Sequence, residues 1–188
     1  MDHRAGYRSV VPIFDADSPG EFPEADFADV IEGNEEYVRR FADQGLTGTA
    51  ASGLAVITCM DSRIDPLGVL GKKPGDVKIL RNAGARVTDD MLRTLILATY
   101  LLGVTRVLVM PHTNCRMAGG SESQIHAAIL AEHGIDTRSV EFRTVDDQEA
   151  ALMTDLVRIR SHPLLPQDLV VGGAIFDVHT GEIRPINA

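Results

Sequence analysis

The sequence predicts an α/β fold: a single domain with a mostly parallel central sheet of four to five strands, flanked by helices. Three observations carry that expectation. Short aliphatic runs of strand length alternate with stretches of helical periodicity along most of the chain. Tryptophan is absent and aromatic residues make up only 5 %, so the interior must be built from Val, Ile, Leu and Ala. That bias suits parallel strands buried on both faces. The length, 188 residues, is that of one domain with a continuous core.

The elements follow in order. Residues 1–24 mix Pro, Gly, Asp and Ser and read as an extended N-terminal arm, leaving residues 25–188 as the α/β domain. Over residues 26–42, Phe27, Val30, Ile31, Tyr37, Val38 and Phe41 recur between charges at helical spacing. A polar link leads into a first strand at residues 54–58, and Asp65-Pro66 opens a short helix over residues 66–70. A second strand spans residues 77–80. Thr88 and Asp89 then start a helix whose apolar run covers residues 91–102, and Gly103 stops it. The third strand, residues 107–110, is the most apolar. Helical patterns recur at residues 121–132 and 148–159, a fourth strand at 169–176, and a hairpin around Thr180-Gly181. Right-handed crossovers between parallel strands place their C-terminal ends along one edge, where ligands bind.

Composition narrows the function. A formal charge of −9 argues against a nucleic-acid partner, which needs a basic footprint. No apolar run approaches the length of a membrane span, and Met1-Asp2-His3-Arg4 carries no signal-peptide core. The expectation is a cytoplasmic protein with a small-molecule substrate, no nucleic acid and no membrane. Two cysteines are too few for a disulfide framework, so they read as ligands or reactive thiols.

Both cysteines fall at strand ends. Cys59 ends the first strand, and His112 with Cys115 follows the third; if those strands are neighbours, the three side chains converge. Two thiolates and an imidazole are a zinc ligand set that leaves the fourth position open for water. Asp61, two residues beyond Cys59, is placed to act as a part-time fourth ligand or to pair with the fork of Arg63. Paired, it stays an ionised acceptor and orients a zinc-bound hydroxide toward a small electrophilic carbon. The expected site is thus Cys59, His112 and Cys115 with Asp61 on one Zn2+ per chain, and Asp61 and Arg63 as catalytic groups. A disulfide between Cys59 and Cys115 is the lesser alternative, because it explains neither His112 nor the Asp61/Arg63 pair.

Cys59-Met60-Asp61-Ser62-Arg63, Arg81-Asn82-Ala83-Gly84 and His112-Thr113-Asn114-Cys115 together resemble the β-class carbonic anhydrases, from about residue 54 to residue 117 and again around residues 172–177. Short length and the Thr88-Asp89-Asp90 continuation resemble the compact bacterial branch, which includes hydrolases of carbon disulfide and carbonyl sulfide. The resemblance implies reversible hydration of carbon dioxide to bicarbonate, with Asp61 alternating between zinc and Arg63. It also implies a homodimer or a multiple of dimers, with the apolar stripe of residues 27–41 packed across the partner. The alternatives are hydrolysis of carbon disulfide or carbonyl sulfide on the same site, and a non-catalytic zinc- or bicarbonate-binding protein. Asn114 and Arg116 depart from the commoner Asp and Gly around the second cysteine. Neither is a ligand, and Arg116 adds bulk and positive charge beside the site.

Other residues read as structural. Gly84 serves a tight turn, with a substrate contact equally open. His126, His133, His162 and His179 read as surface or supporting residues away from strand ends. Gly119-Gly120-Ser121 reads as a helix cap without a Walker lysine, and Asp146-Asp147 as a helix N-terminus that complements the dipole.

Overall fold

Strand β1 (Leu54–Cys59) is an unbroken run that is buried at every position, which only the middle of a sheet allows. The structure, a computed structural model, describes residue 20, residues 22–42 and residues 45–187. Most of the expected N-terminal arm therefore lies outside the described residues. The chain divides into two compact units, Met1–Gly45 and Leu46–Ala188. The first holds a short 3-10 turn (Glu24–Phe27) and helix α1 (Ala28–Arg40), with Tyr37 and Phe41 rings 5.6 Å apart and Glu36 paired with Arg39 and Arg40.

The second unit carries the sheet. Its strands are β1, β2 (Val77–Asn82), β3 (Arg106–Met110), β4 (Val170–Phe176) and β5 (Ile183–Ile186), in the order β2-β1-β3-β4-β5. The first four run parallel; β5 returns antiparallel to β4 through the expected hairpin. β2 runs two residues past its aliphatic core, because Arg81 and Asn82 stay in register with Thr58 and Cys59.

Helix starts follow local chemistry. Pro66 opens α2 (Pro66–Val69), where its missing N–H costs nothing. Thr88 caps α3 (Asp89–Leu101), and Ser121 with Gln124 forms a reciprocal capping box on α4 (Glu122–His133). Asp147 accepts from the amides of Glu149 and Ala150 to cap α5 (Gln148–Arg160).

The period-two alternation of the strands sorts the core into two layers. Ala55, Ile57, Val107 and Val109 face Leu92 and Leu95 of α3 and Leu152 and Leu156 of α5. On the other side Val56 and Met110 pack with Ile64, Met117 and Phe176. Among the described residues no helix is long and apolar enough to cross a membrane.

Candidate metal centre

The site sits where the sheet changes direction. From β1 the chain lays β2 on one side, then places β3 on the other. Loops leaving the C-terminal ends of β1 and β3 therefore diverge around a crevice, the position where open parallel sheets bind ligands. Cys59 is the last residue of β1, and His112 lies two residues past the end of β3.

The loop after β3 is held from several sides. His112 bridges to Phe176, the last residue of β4, and the Thr113 amide donates to the Phe176 carbonyl at 2.9 Å. The Gln148 amide of α5 donates to the His112 carbonyl at 2.7 Å. Asn114 takes a left-handed conformation (φ 53°), which asparagine tolerates better than most residues, and the turn delivers Cys115 back toward Cys59.

The outcome is a cluster of Cys59, His112 and Cys115, all buried, whose donor atoms lie within 4.8 Å of one another. The sulfurs are 3.9 Å apart. Two thiolates on one tetrahedral zinc at ~2.3 Å would stand about 3.8 Å apart. A disulfide needs about 2.05 Å, and both cysteines are free.

His112 supplies the sharper test. Thr58, His112 and Asp155 are the buried polar residues among those described. Thr58 donates to the Met110 carbonyl at 2.8 Å, and Asp155 accepts from Arg86. His112 is 0 % exposed, with Nδ1 against the Thr113 carbonyl at 2.8 Å, yet its Nε2 is buried with no hydrogen-bond partner. Such orphans are rare because each costs about 1–3 kcal/mol. With Nδ1 donating, Nε2 presents a lone pair toward the two sulfurs, as a metal-ligating imidazole does. The donors fit a thiolate–imidazole metal site.

Asp61 is outside that three-donor group. Arg63 grips its carboxylate with Nε on Oδ1 at 2.9 Å and Nη2 on Oδ2 at 2.7 Å, while the Arg63 amide donates to Oδ1 at 2.9 Å. These bonds, the guanidinium foremost, hold the Asp61 carboxyl well below the usual carboxylate range. Arg63 also donates to the Asn114 carbonyl at 3.1 Å, tying the two loops together. Asp61 Oδ2 remains 3.7 Å from His112 Nε2.

The thiols are unequal. The hydrogen bond from Cys115 stabilises the Cys59 thiolate most; burial opposes it, and His112 and the Gly84 amide at 3.4 Å assist, leaving Cys59 lowered to about 3. The same bond, with burial, pushes Cys115 up. Burial disfavours a charged His112 most, but the Cys59 sulfur, the Thr113 carbonyl and the Asp61 carboxylate together shift the imidazole upward.

Several supporting residues escape sequence reasoning. Arg81 donates to carbonyls of the β1–α2 loop. Gly84, at φ 79°, contributes its N–H to Cys59, a role that neither turn nor substrate contact had described. Arg86 and Asp155 form a nearly buried ion pair at 2.7 Å, and Asn82 closes the turn of residues 82–86 with bonds to both backbone groups of Arg86. His179 corrects one expectation: it lies three residues past the end of β4, beside a strand end, in an exposed turn. His126 is half-buried against Phe142 and Thr137, while His133 is exposed. Arg116 is exposed; its carbonyl accepts from the Gly119 amide at 3.2 Å, and its side chain makes no hydrogen bond or ion pair among the described residues.

Comparison with known proteins agrees with this geometry. The family model described as carbonic anhydrase matches residues 54–183. Beta-carbonic anhydrase 1 of Mycobacterium tuberculosis is 32 % identical over 159 residues, covering 84 % of this chain and 96 % of that protein. A carbon disulfide hydrolase of Acidithiobacillus thiooxidans is 28 % identical over 170 residues, covering 78 % of this chain and 76 % of that one. The crystal structure of a carbonic anhydrase from Streptococcus mutans superposes with a TM-score of 0.81 at 34 % identity, covering 86 % of this chain and 97 % of the other.

Proposed function

This chain belongs to the β-carbonic anhydrase family and is an enzyme, and from that premise we propose that it hydrates carbon dioxide reversibly to bicarbonate and a proton. The site we assign is Cys59, His112 and Cys115 on one zinc ion per chain, with Asp61 and Arg63 as catalytic groups and Asp61 as an occasional fourth ligand. The observation that carries it is the buried, unpartnered Nε2 of His112, set among two sulfurs and 3.7 Å from an Arg63-held carboxylate. Zinc in that position supplies Lewis acidity, which brings the pKa of water from 15.7 to about 7.

The chain's own groups do the rest. Ionised Asp61 is an acceptor only, so it can take the O–H of the attacking solvent oxygen and leave a lone pair aimed at carbon. Arg63 fixes the direction of that carboxylate and keeps it from capturing the proton outright. The Gly84 amide steadies the Cys59 sulfur, and the bond from Gln148 fixes the backbone that carries His112. Stopped-flow carbon dioxide hydration by the zinc-loaded chain tests this reading. Turnover above buffer between pH 6 and 9 supports it; none contradicts it.

A second reading keeps the site and changes the gas. The kinship with a carbon disulfide hydrolase motivates it, and sulfide release from carbon disulfide or carbonyl sulfide distinguishes it. The Arg63 side chain, 43 % exposed, opens the rim to water. A cationic guanidinium at the rim suits bicarbonate, the anionic partner of the carbon dioxide reaction. We assign the catalytic domain to residues 25–188, acting in the cytoplasm as a homodimer or a multiple of dimers. Exposed Leu97, Tyr100 and Leu101 on α3 support self-association.

A further inference from the structure

Arg81 lies on β2, in register with Thr58 and one residue short of the pair Cys59–Asn82. Among the described residues its guanidinium forms no ion pair. Its hydrogen bonds go instead to backbone carbonyls of one short loop. Nε donates to Cys59 O at 2.8 Å, Nη2 to Asp61 O at 2.6 Å and Nη1 to Ile64 O at 3.3 Å. Those carbonyls belong to a metal-site cysteine, to the carboxylate residue and to the buried residue that anchors the loop in the core.

We propose that Arg81 is a positioning residue for the Asp61–Arg63 pair, clamping the backbone of residues 59–64 so that the Asp61 carboxylate faces His112. Asp61 is gripped at both ends: Arg63 holds the side chain, and Arg81 holds the carbonyl of the same residue. The loop's own backbone bonds are few. The Met60 amide donates to Asn82 O at 2.9 Å, and the Ile64 amide to Asp61 O at 3.1 Å. Of the two, only the Ile64 bond holds a peptide plane of Asp61, the one that follows it, and Arg81 is the second grip on that same carbonyl. A rotation there would swing the carboxylate away from its place 3.7 Å from Nε2. Only a planar fork with several donors spans three carbonyls at once; an ammonium concentrates its donors at one point. The clamp acts on backbone and leaves the three metal-site side chains where the strand ends put them. It rests on the proposed function only for its catalytic consequence, since the grip exists in the chain itself.

The test uses the full chain as wild type, Arg81→Gln and Arg81→Lys. In metal-free protein, native-state hydrogen exchange at Met60, Arg63 and Ile64 is expected to quicken about tenfold or more in Arg81→Gln, with amides of β1 and β3 unchanged. With zinc loaded, kcat for carbon dioxide hydration is expected to fall about 10- to 100-fold, with KM and zinc content near wild type. Arg81→Lys keeps the charge and is expected to recover only part of the loss. Unchanged exchange at the three amides, exchange that quickens equally across β1 and β3, or full activity in Arg81→Lys would overturn the clamp. Wild-type chain that binds zinc without turning over carbon dioxide contradicts the functional reading alone, and the exchange comparison still decides for or against the clamp.

Discussion

Asp61 and Arg63 form a two-pronged ion pair, with Nε on one carboxylate oxygen at 2.9 Å and Nη2 on the other at 2.7 Å. The pair spans only two residues, so its geometry is set by one turn of the loop after β1. The depressed Asp61 pKa has a direct consequence by linkage. A carboxylate whose folded pKa lies below its unfolded value stabilises the fold above the unfolded pKa, about 3.9. That contribution is lost only as pH falls below it, so the pair is intact throughout the neutral range.

Asp61→Asn is therefore expected to fold and bind metal normally while losing catalysis. An amide can donate as well as accept, so it no longer enforces the orientation of a solvent O–H. Carbon dioxide hydration should fall about 10- to 100-fold. Retention of at least half the wild-type kcat would remove Asp61 from the mechanism.

The two thiols are expected to ionise far apart in metal-free protein. With Cys59 lowered to about 3 and Cys115 raised, ultraviolet thiolate absorbance at pH 6 should correspond to one thiolate per chain, not to none. By the same linkage, Cys59 stabilises the fold most above its unfolded pKa, about 8.5, and progressively less as pH falls from there toward 3. Cys115 works in the opposite sense, favouring the fold below that pKa and losing the contribution as pH rises. Absorbance that develops only above pH 8 contradicts the asymmetry.

Gly84→Ala is expected to destabilise the chain by about 1–3 kcal/mol in urea unfolding, because a side chain is strained in the left-handed region. Gly84 has φ 79°, and an added Cβ would meet Met117 Cβ at 3.1 Å. The same strain displaces the amide that faces Cys59, so zinc affinity should weaken alongside stability. Wild-type stability and affinity together would mean that the turn is not constrained.

Asp155→Ala leaves Arg86 without its carboxylate where the two side chains are only 17 % and 4 % exposed. Removing one partner of such a pair costs about 3–5 kcal/mol. The lower part of that range is expected, because Arg86 keeps a bond to the Arg143 carbonyl at 3.2 Å. A loss below about 1 kcal/mol by denaturant titration would show that the pair is solvated.

How much of this was legible beforehand divides along physical lines. Aliphatic runs such as residues 54–58 and 107–110 announce buried parallel strands, and Cys59, His112 and Cys115 stand at their ends; strand pairing then fixes their convergence. Thr88, Ser121 and Asp147 declare helix starts through local capping chemistry. What stayed hidden depends on contacts between distant segments. Arg86 and Asp155 are 69 residues apart, and neither carries a local signal of its partner. Arg81 and Gln148 act on backbone carbonyls, which every residue has, so even the motif that contains Arg81 does not disclose what it holds. His179 looked remote because the hairpin that follows β4 is read as a turn, not as the rim of a sheet.

The central claim is that three donors far apart in sequence share one metal ion, and metal analysis tests it most directly. Wild-type chain purified alongside Cys59→Ser, both exposed to equal zinc and then dialysed, should carry about one zinc per chain in the first case and almost none in the second. Equal zinc content in the two proteins would contradict the assignment.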